Sequence, residues 1–445
     1  MAAHDQWLAP IGGGEPVSVA VGIDVGSRSA RVVAIDPGGA LVGYAETDYD
    51  RQPDRMMGRA DPQCWRRGVE TGLRRLVARC PPAASPAAVA VGGQSPTAVP
   101  AHGLAVTYSY AEGTDGGIAA QQVAQCQLLK SEQPGGEVSQ LWDWMLASLG
   151  APRGQGRWPG DAPLDEFGQS VTTGTVVGKA DGSGGVPRGT PLVAGAPDAL
   201  LAFWAAGLDE VHRACDPGGR TGGLVVAVRD VDLAPGLMQM ASPARGCSMV
   251  GGPVSAHGAS LDWLTTVTGR PRSALLELAA GVPAGAGGVI FLPYLEGERS
   301  PRWQRRLTGE FHGLRADTGP GELARAVLEG TAYGLAHIGR ALRGKGAEID
   351  VVTCAGGPSR SRLWCEIKAA VLGADFDVPE FSELSAYGAA LAAGAGAGWW
   401  PEPGSGGPGS WPRPSMTRID SVPRQVYQEG FERFVSLGDA AQRRL

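Results

Sequence analysis

The chain has no CxxC pair, no run of five or more basic residues, and no apolar stretch near the roughly 20 residues that cross a bilayer. Each absence excludes something. The seven cysteines (Cys64, Cys80, Cys126, Cys215, Cys247, Cys354 and Cys365) are odd in number and scattered. That argues against a disulfide framework or a zinc site and for a reducing compartment. The 39 Lys and Arg residues are outnumbered by 45 Asp and Glu, for a net charge of -6. A nucleic-acid partner bound through a broad basic surface is therefore not expected. None of the six histidines sits in an HExxH or GxSxG context, so neither a zincin nor a Ser-His-Asp hydrolase is indicated. The opening residues, MAAHDQWLAPIGGGEP, have neither a basic n-region nor an apolar h-region. A cytoplasmic location is expected.

What is present is glycine and proline, 69 and 34 among 445 residues, within an ordinary 43% hydrophobic content. At about 150 residues per domain, the length allows two or three domains. "VSVAVGIDVGSRSARVVAIDPGGALVGYAETDY" predicts strand, tight turn, strand, turn, strand. Asp61-Pro62 predicts a helix start, followed by an apolar stripe of Trp65, Val69, Leu73 and Val77. "AAVAVGG" predicts another strand, and "GEVSQLWDWMLASLG" a helix. Beyond Asp198 the alternation resumes through "GGRTGGLVVAVRD", "GVIFLPYLEGERSPRW", a long helix near 319–342, and "EIDVVTCAGGPSRSRLWCEIKAAVLG". Strands alternating with helices imply an α/β sheet. "PEPGSGGPGSWPRP" predicts a mobile loop.

Four places could carry chemistry. In "DVGSRSAR", Gly26 lets backbone approach a ligand, Ser27 and Ser29 can donate to phosphate oxygens, and Arg31 can pair with a phosphate charge. Asp24 could hold a metal or a metal-bound water between phosphates. The competing reading is a hairpin with a polar tip. "GGRTGGLV" offers a second glycine nest before a strand, or else a plain turn. "CAGGPSRSRLW" brings a strand to two glycines and a helix start, where α/β folds bind nucleotides, but it matches neither GxGxxG nor a P-loop. Asp198 is the single charge in "VAGAPDALLAFWAAG"; alone, it reads more simply as a helix cap.

In this order the motifs resemble those of the FGGY carbohydrate kinases, the sugar-kinase branch of the actin-like ATPase superfamily, with xylulokinase-like members nearest. "GIDVGSRSARVVAID" resembles the family's first phosphate motif, and "GTPLVAGAPDALLAFWAAG" the stretch with its catalytic aspartate, here Asp198. "RTGGLV" lies where the family has its second phosphate turn. "IFLPYLEGERSPRW", "LARAVLEGTAYGL", "CAGGPSRSRLW" and "SAYGAALAAGAGAG" complete the order. The resemblance implies two ribonuclease-H-like α/β domains flanking a deep cleft, a sugar-side domain over 17–209 and an ATP-side domain over 210–437. It implies ATP and Mg2+ as cofactors and a small-molecule sugar as substrate. It implies no nucleic-acid or membrane partner, with a homodimer as the candidate assembly.

In that scheme Asp198 is the general base that takes a sugar hydroxyl proton, and Asp24 positions magnesium. Gly26, Ser27, Arg31, Thr221, Gly222 and Gly223 bind phosphates, Gly356 and Gly357 lie against adenosine, and Gln94 and Ser95 join Asp198 on the sugar side. Three departures stand out. Ser95 and Pro96 replace the Met-His pair that lines the family's sugar site, Tyr108 and Tyr110 replace a Trp-x-Asp stretch, and Arg220 stands where a glycine is usual. An active kinase on a ketose such as xylulose or on a polyol is the leading expectation. A catalytically degenerate relative that binds nucleotide or sugar as a regulator is the alternative, and an assembly ATPase of the same fold is a third.

Overall fold

The computed structural model describes residues 17–49, 58–81, 84–107, 117–161, 164–230 and 232–445. The chain forms two compact units, each built on its own mixed sheet. The first comprises Met1–Ala205, Pro243–Arg245 and Glu383–Pro414, and the second the remainder. Residues 383–414 therefore fold with the start of the chain rather than with their sequence neighbours.

Unit 1 is organised by three apolar segments at its start: β1 (Ser18–Val25), β2 (Ser29–Ile35) and β3 (Leu41–Asp48). They pair antiparallel in succession. On its other side β1 runs parallel to Ser85–Gly93, which runs parallel to Pro191–Pro197; Val176–Lys179 closes the six-stranded sheet. β1, Ser85–Gly93 and Pro191–Pro197 are covered on both faces and are apolar almost throughout, whereas β3 and Val176–Lys179 at the edges are partly exposed. Helix α1 (Pro62–Val77) begins as expected, with Asp61 accepting the Gln63 N–H at 2.9 Å. Trp65, Val69 and Leu73 are buried, but Val77 is 66% exposed and Leu76 takes its place. The buried stripe steps by three residues there, as a period of 3.6 allows.

Small residues set the packing on the opposite face. The helix Leu384–Gly396 lies so close to β1 that a Cβ added at Gly22 would sit 2.1 Å from the Ala386 carbonyl oxygen. A Cβ at Gly388 would come equally close, 2.1 Å, to the carbonyl oxygen of Leu201 in the helix Asp198–Ala205. The glycines and alanines of "SAYGAALAAG" are thus what allow these backbones to approach.

Two local expectations are corrected. Only Leu141–Ser148 of "GEVSQLWDWMLASLG" is helical. Val138–Gln140 is instead a strand, because it pairs with Ala98–Pro100. The "PEPGSGGPGSWPRP" segment is not a loose loop. Its Trp411 is buried, donates its indole N–H to the Pro401 carbonyl at 2.7 Å, and packs edge-on against Trp204.

In unit 2 a seven-stranded sheet runs in the order Met238–Ala241, Ser248–Pro253, Gly223–Val228, Arg213–Asp216, Val351–Cys354, Asp375–Pro379, Met416–Ile419. Arg213–Asp216, Val351–Cys354 and Asp375–Pro379 are parallel. The long helix Pro320–Arg343 buries Leu335, Ile338 and Leu342 in a cluster with residues of this sheet. Among the described residues no helix is long and apolar enough to cross a membrane.

Replacing Gly22 with alanine should force the helix Leu384–Gly396 off the sheet. The expected cost is roughly 1–3 kcal/mol or more, as for overpacking against atoms that cannot move aside. A urea midpoint unchanged from the wild type would contradict this account of the packing.

Candidate active site

The functional edge of unit 1 follows from strand register. Side chains alternate along a strand, so Gly22 and Asp24 share one face of β1. Arg31 lies directly opposite Asp24 on β2, and Glu46 directly opposite Arg31 on β3. The three therefore form one cross-strand row. The helix Leu384–Gly396 covers the same face, and Glu383, which precedes it, reaches the row from above.

Arg31 is the hub. Its Nη1 donates to Asp24 Oδ2 at 3.0 Å, and its Nε is 3.1 Å from Glu46 Oε1 and 3.0 Å from Glu383 Oε2. Burial alone would lower the guanidinium pKa, but Glu383, Asp24 and Glu46 outweigh it and hold the group charged. Ser29 donates to Glu46 Oε1 at 2.7 Å. Gly26 lies inside the turn, where a Cβ would come within 3.1 Å of both Arg31 Nη1 and the Ser29 carbonyl oxygen. Ser27 is half-buried beside it.

The carboxyl ends of the parallel strands meet here. Gly93 is paired with both Val25 and Pro197, so Asp24, Gln94 and Asp198 leave neighbouring strand ends. Gln94 is buried and donates its backbone N–H to the Val25 carbonyl at 3.1 Å, while its side-chain Oε1 has no partner among the described residues. The Ser95 hydroxyl is likewise buried and unpartnered, and a cis peptide bond follows it to Pro96. Tyr108 and Tyr110 lie outside the described residues.

Asp198 opens the helix Asp198–Ala205, and its Oδ1 accepts the Ala199 N–H at 2.8 Å. Desolvation, then the charge of Asp24, pushes its pKa up to about 7, although the Ala199 N–H pulls the other way. The residue still meets solvent, unlike Asp24, which is 4% exposed. Asp24 too is raised, chiefly by burial and against the pull of Arg31. Its Oδ1 is buried with no partner among the described residues. Unit 1 thus brings together an unpaired acceptor on one aspartate and an aspartate poised to exchange a proton near neutral pH.

Unit 2 brings together the other glycine motifs. The turn 217–222 joins Arg213–Asp216 to Gly223–Val228, with Gly218, Gly219 and Gly222 at φ 63°, 82° and 69°. Thr221 is exposed, and Gly222 and Gly223 are buried. The second turn follows Val351–Cys354; Gly356, at φ 67°, starts a short helix Gly356–Ser359, and Gly357 is exposed. The two turns touch, since a Cβ at Gly218 would lie 2.1 Å from the Ala355 carbonyl oxygen. In "PYLEGER", Glu298 is buried and accepts the N–H groups of Ser255 and Arg299 at 3.2 and 2.7 Å.

Residues 222–397 match the FGGY family of carbohydrate kinases, C-terminal domain. The chain resembles the FGGY carbohydrate kinases. The matched span of this FGGY-like chain includes Gly222, Gly223, "PYLEGER", Gly356 and Gly357, while "DVGSRSAR" and Asp198 precede it. A xylulose kinase of Staphylococcus epidermidis is 34% identical over 151 residues, 34% of this chain and 30% of that protein. A glycerol kinase of Gloeobacter violaceus is 37% identical over 152 residues, again 34% and 30%. The match spans less than a third of these relatives' length. The solved structure of a xyloylose kinase from Brucella ovis superposes with a TM-score of 0.79 at 22% identity, over 95% of this chain and 99% of that chain. At that identity the likeness establishes a shared fold, the two-domain actin-like architecture.

Sequence reasoning missed Glu46 and Glu383. Glu46 faces Arg31 only because the pairing shifts by one residue at Ala34/Ile35; simple counting from the "DPGG" turn puts Ala45 there. Glu383 gave no signal, because only the tertiary fold brings it to the row.

Removing the hub leaves three carboxylates without their cation. Arg31→Gln should cost on the order of 3 kcal/mol, as for a buried ion pair stripped of one partner. The loss should be larger at pH 8 than at pH 5, because burial raises the Asp24 pKa and ionising it without Arg31 costs the more as pH rises. Equal urea stabilities of variant and wild type at both pH values would show that Arg31 is not what holds the row.

Proposed function

We propose that the chain is an ATP-dependent kinase that transfers the γ-phosphate to a hydroxyl of a small sugar, with a ketose such as xylulose as acceptor. The observation that carries this reading is Asp198, a solvent-reaching carboxylate whose pKa of about 7 is set by burial and by Asp24. A sugar hydroxyl is a poor nucleophile, and a base titrating near neutral pH can accept its proton as attack proceeds. The unpartnered oxygens of Gln94 and Ser95 supply hydrogen-bonding capacity for sugar hydroxyls on the same strand ends. The names of the xylulose kinase relatives support the ketose.

Magnesium fits the residues present. Asp24 Oδ1 is a buried, unpartnered carboxylate oxygen, and magnesium commonly takes only one or two carboxylates, its other ligands being water and phosphate. Asp24 would hold it directly or through water, and the ion would supply charge neutralisation for the phosphates. In unit 2 the turn with Thr221, Gly222 and Gly223 offers backbone N–H groups to phosphate, and Gly356 and Gly357 offer flat backbone to adenosine. Seven free cysteines are consistent with a cytoplasmic setting.

The test is ATP turnover on pentuloses, hexuloses and polyols, with the product mapped by NMR. One acceptor should be phosphorylated, and kcat/KM should fall about tenfold per pH unit below pH 7 as Asp198 takes up its proton. Asp198→Asn should lose on the order of 10²–10⁴-fold in kcat. Ionising Asp198 in the fold costs stability as pH rises from about 4 to about 7, because the folded pKa is the higher one. The asparagine variant should therefore be no less stable than the wild type at pH 8. Nucleotide binding with no phosphorylated product from any sugar would instead establish the degenerate, ligand-binding reading.

A further inference from the structure

Beneath the two glycine turns of unit 2 lies a group of polar side chains that the proposed reaction does not use. Lys368, in the helix Arg362–Leu372, is fully buried, and its Nζ is 2.6 Å from Asp216 Oδ2. Asp216, at the end of its strand, is also fully buried, and its Oδ1 accepts the Gly218 N–H at 3.0 Å. Lys368 Nζ lies 3.5 Å from Cys354 Sγ, the residue before the second turn. The Asp216 carbonyl accepts the Ala355 N–H at 2.9 Å. His257 fills the space under Gly222, where a Cβ would sit 2.5 Å from its Nδ1, and its backbone N–H donates to the Arg220 carbonyl at 2.8 Å. The Trp364 ring lies 5.2 Å from the Lys368 ammonium and 5.1 Å from the His257 ring.

Taking both charges of an ion pair out of water costs several kcal/mol each in effect, and apolar replacements of similar volume are often as stable. Stability therefore does not explain the pair, but its position does. One carboxylate spans a lysine on one side and the first glycine N–H of the 217–222 turn on the other. The same lysine touches the residue that leads into the 355–359 turn. We propose that Asp216 and Lys368 are positioning residues that lock these two turns into one body, so that both present their backbone to the same adenine nucleotide. The inference rests on the nucleotide-binding reading of the turns.

Asp216→Val/Lys368→Met removes both charges at similar volume and orphans the Gly218 N–H. It should fold, yet calorimetry with ATP should show the dissociation constant raised tenfold or more. KM for ATP should rise by the same factor, with kcat and the acceptor KM within about threefold of wild type. A folded double variant that binds ATP like the wild type would overturn the proposal and leave the kinase reading intact. A wild type with no affinity for ATP would overturn both. If the double variant does not fold, hydrogen exchange on the intact protein decides. ATP should then slow exchange of the 217–222 and 355–359 amides to the same extent, and protection of one turn alone would overturn the proposal.

Discussion

A single guanidinium shared by three carboxylates organises the edge of unit 1. Strand register alone places Asp24, Arg31 and Glu46 side by side, and the covering helix adds Glu383. Asp24 is buried and the other three are partly buried, and such a group is held together by mutual neutralisation, since each ion stripped of water costs several kcal/mol. Arg31 therefore fixes where Asp24 points. One oxygen is committed to the guanidinium, and the other has no partner among the described residues. That unspent acceptor follows from the constraint, and it is what makes the strand end chemically available.

Asp198 depends on the same arrangement. Its elevated pKa needs partial removal from water and a nearby negative charge, and Asp24 can supply that charge only because Arg31 does not fully cancel it. The fold accepts a cost for holding the two aspartates on adjoining strand ends. Such strain at the carboxyl edge of a parallel sheet is where α/β proteins keep their reactive groups.

Much of this was legible in the sequence. The strand-turn-strand pattern at 18–48, the helix at Asp61-Pro62, and the glycine turns at 217–222 and 355–359 all lie where local chemistry points. Asp198 reads as a cap and opens its helix, where its carboxylate accepts the Ala199 N–H; it is also the candidate base. What was not legible has a common cause. Glu383, Lys368 and His257 gain their roles from partners distant in sequence, and a lone lysine in "CEIKAAVL" looks like a solvent-facing residue. Proline and glycine misled in the other direction, because "PEPGSGGPGSWPRP" reads as slack chain until Trp411 is seen to anchor it.

The return of Glu383–Pro414 to unit 1 has a consequence for how the protein is made. Synthesis proceeds from the amino end, so this segment leaves the ribosome after Ala206–Ser242 and Gly246–Ser382 of unit 2. Until then the sheet lacks the helix that covers Gly22, and Arg31 lacks one of its carboxylates. Unit 1 is thus completed only after most of unit 2 has been made, and the β1 face stays open while residues 206–382 are translated. Restraining that face until residues 383–414 emerge is a problem of biosynthetic timing that this topology imposes.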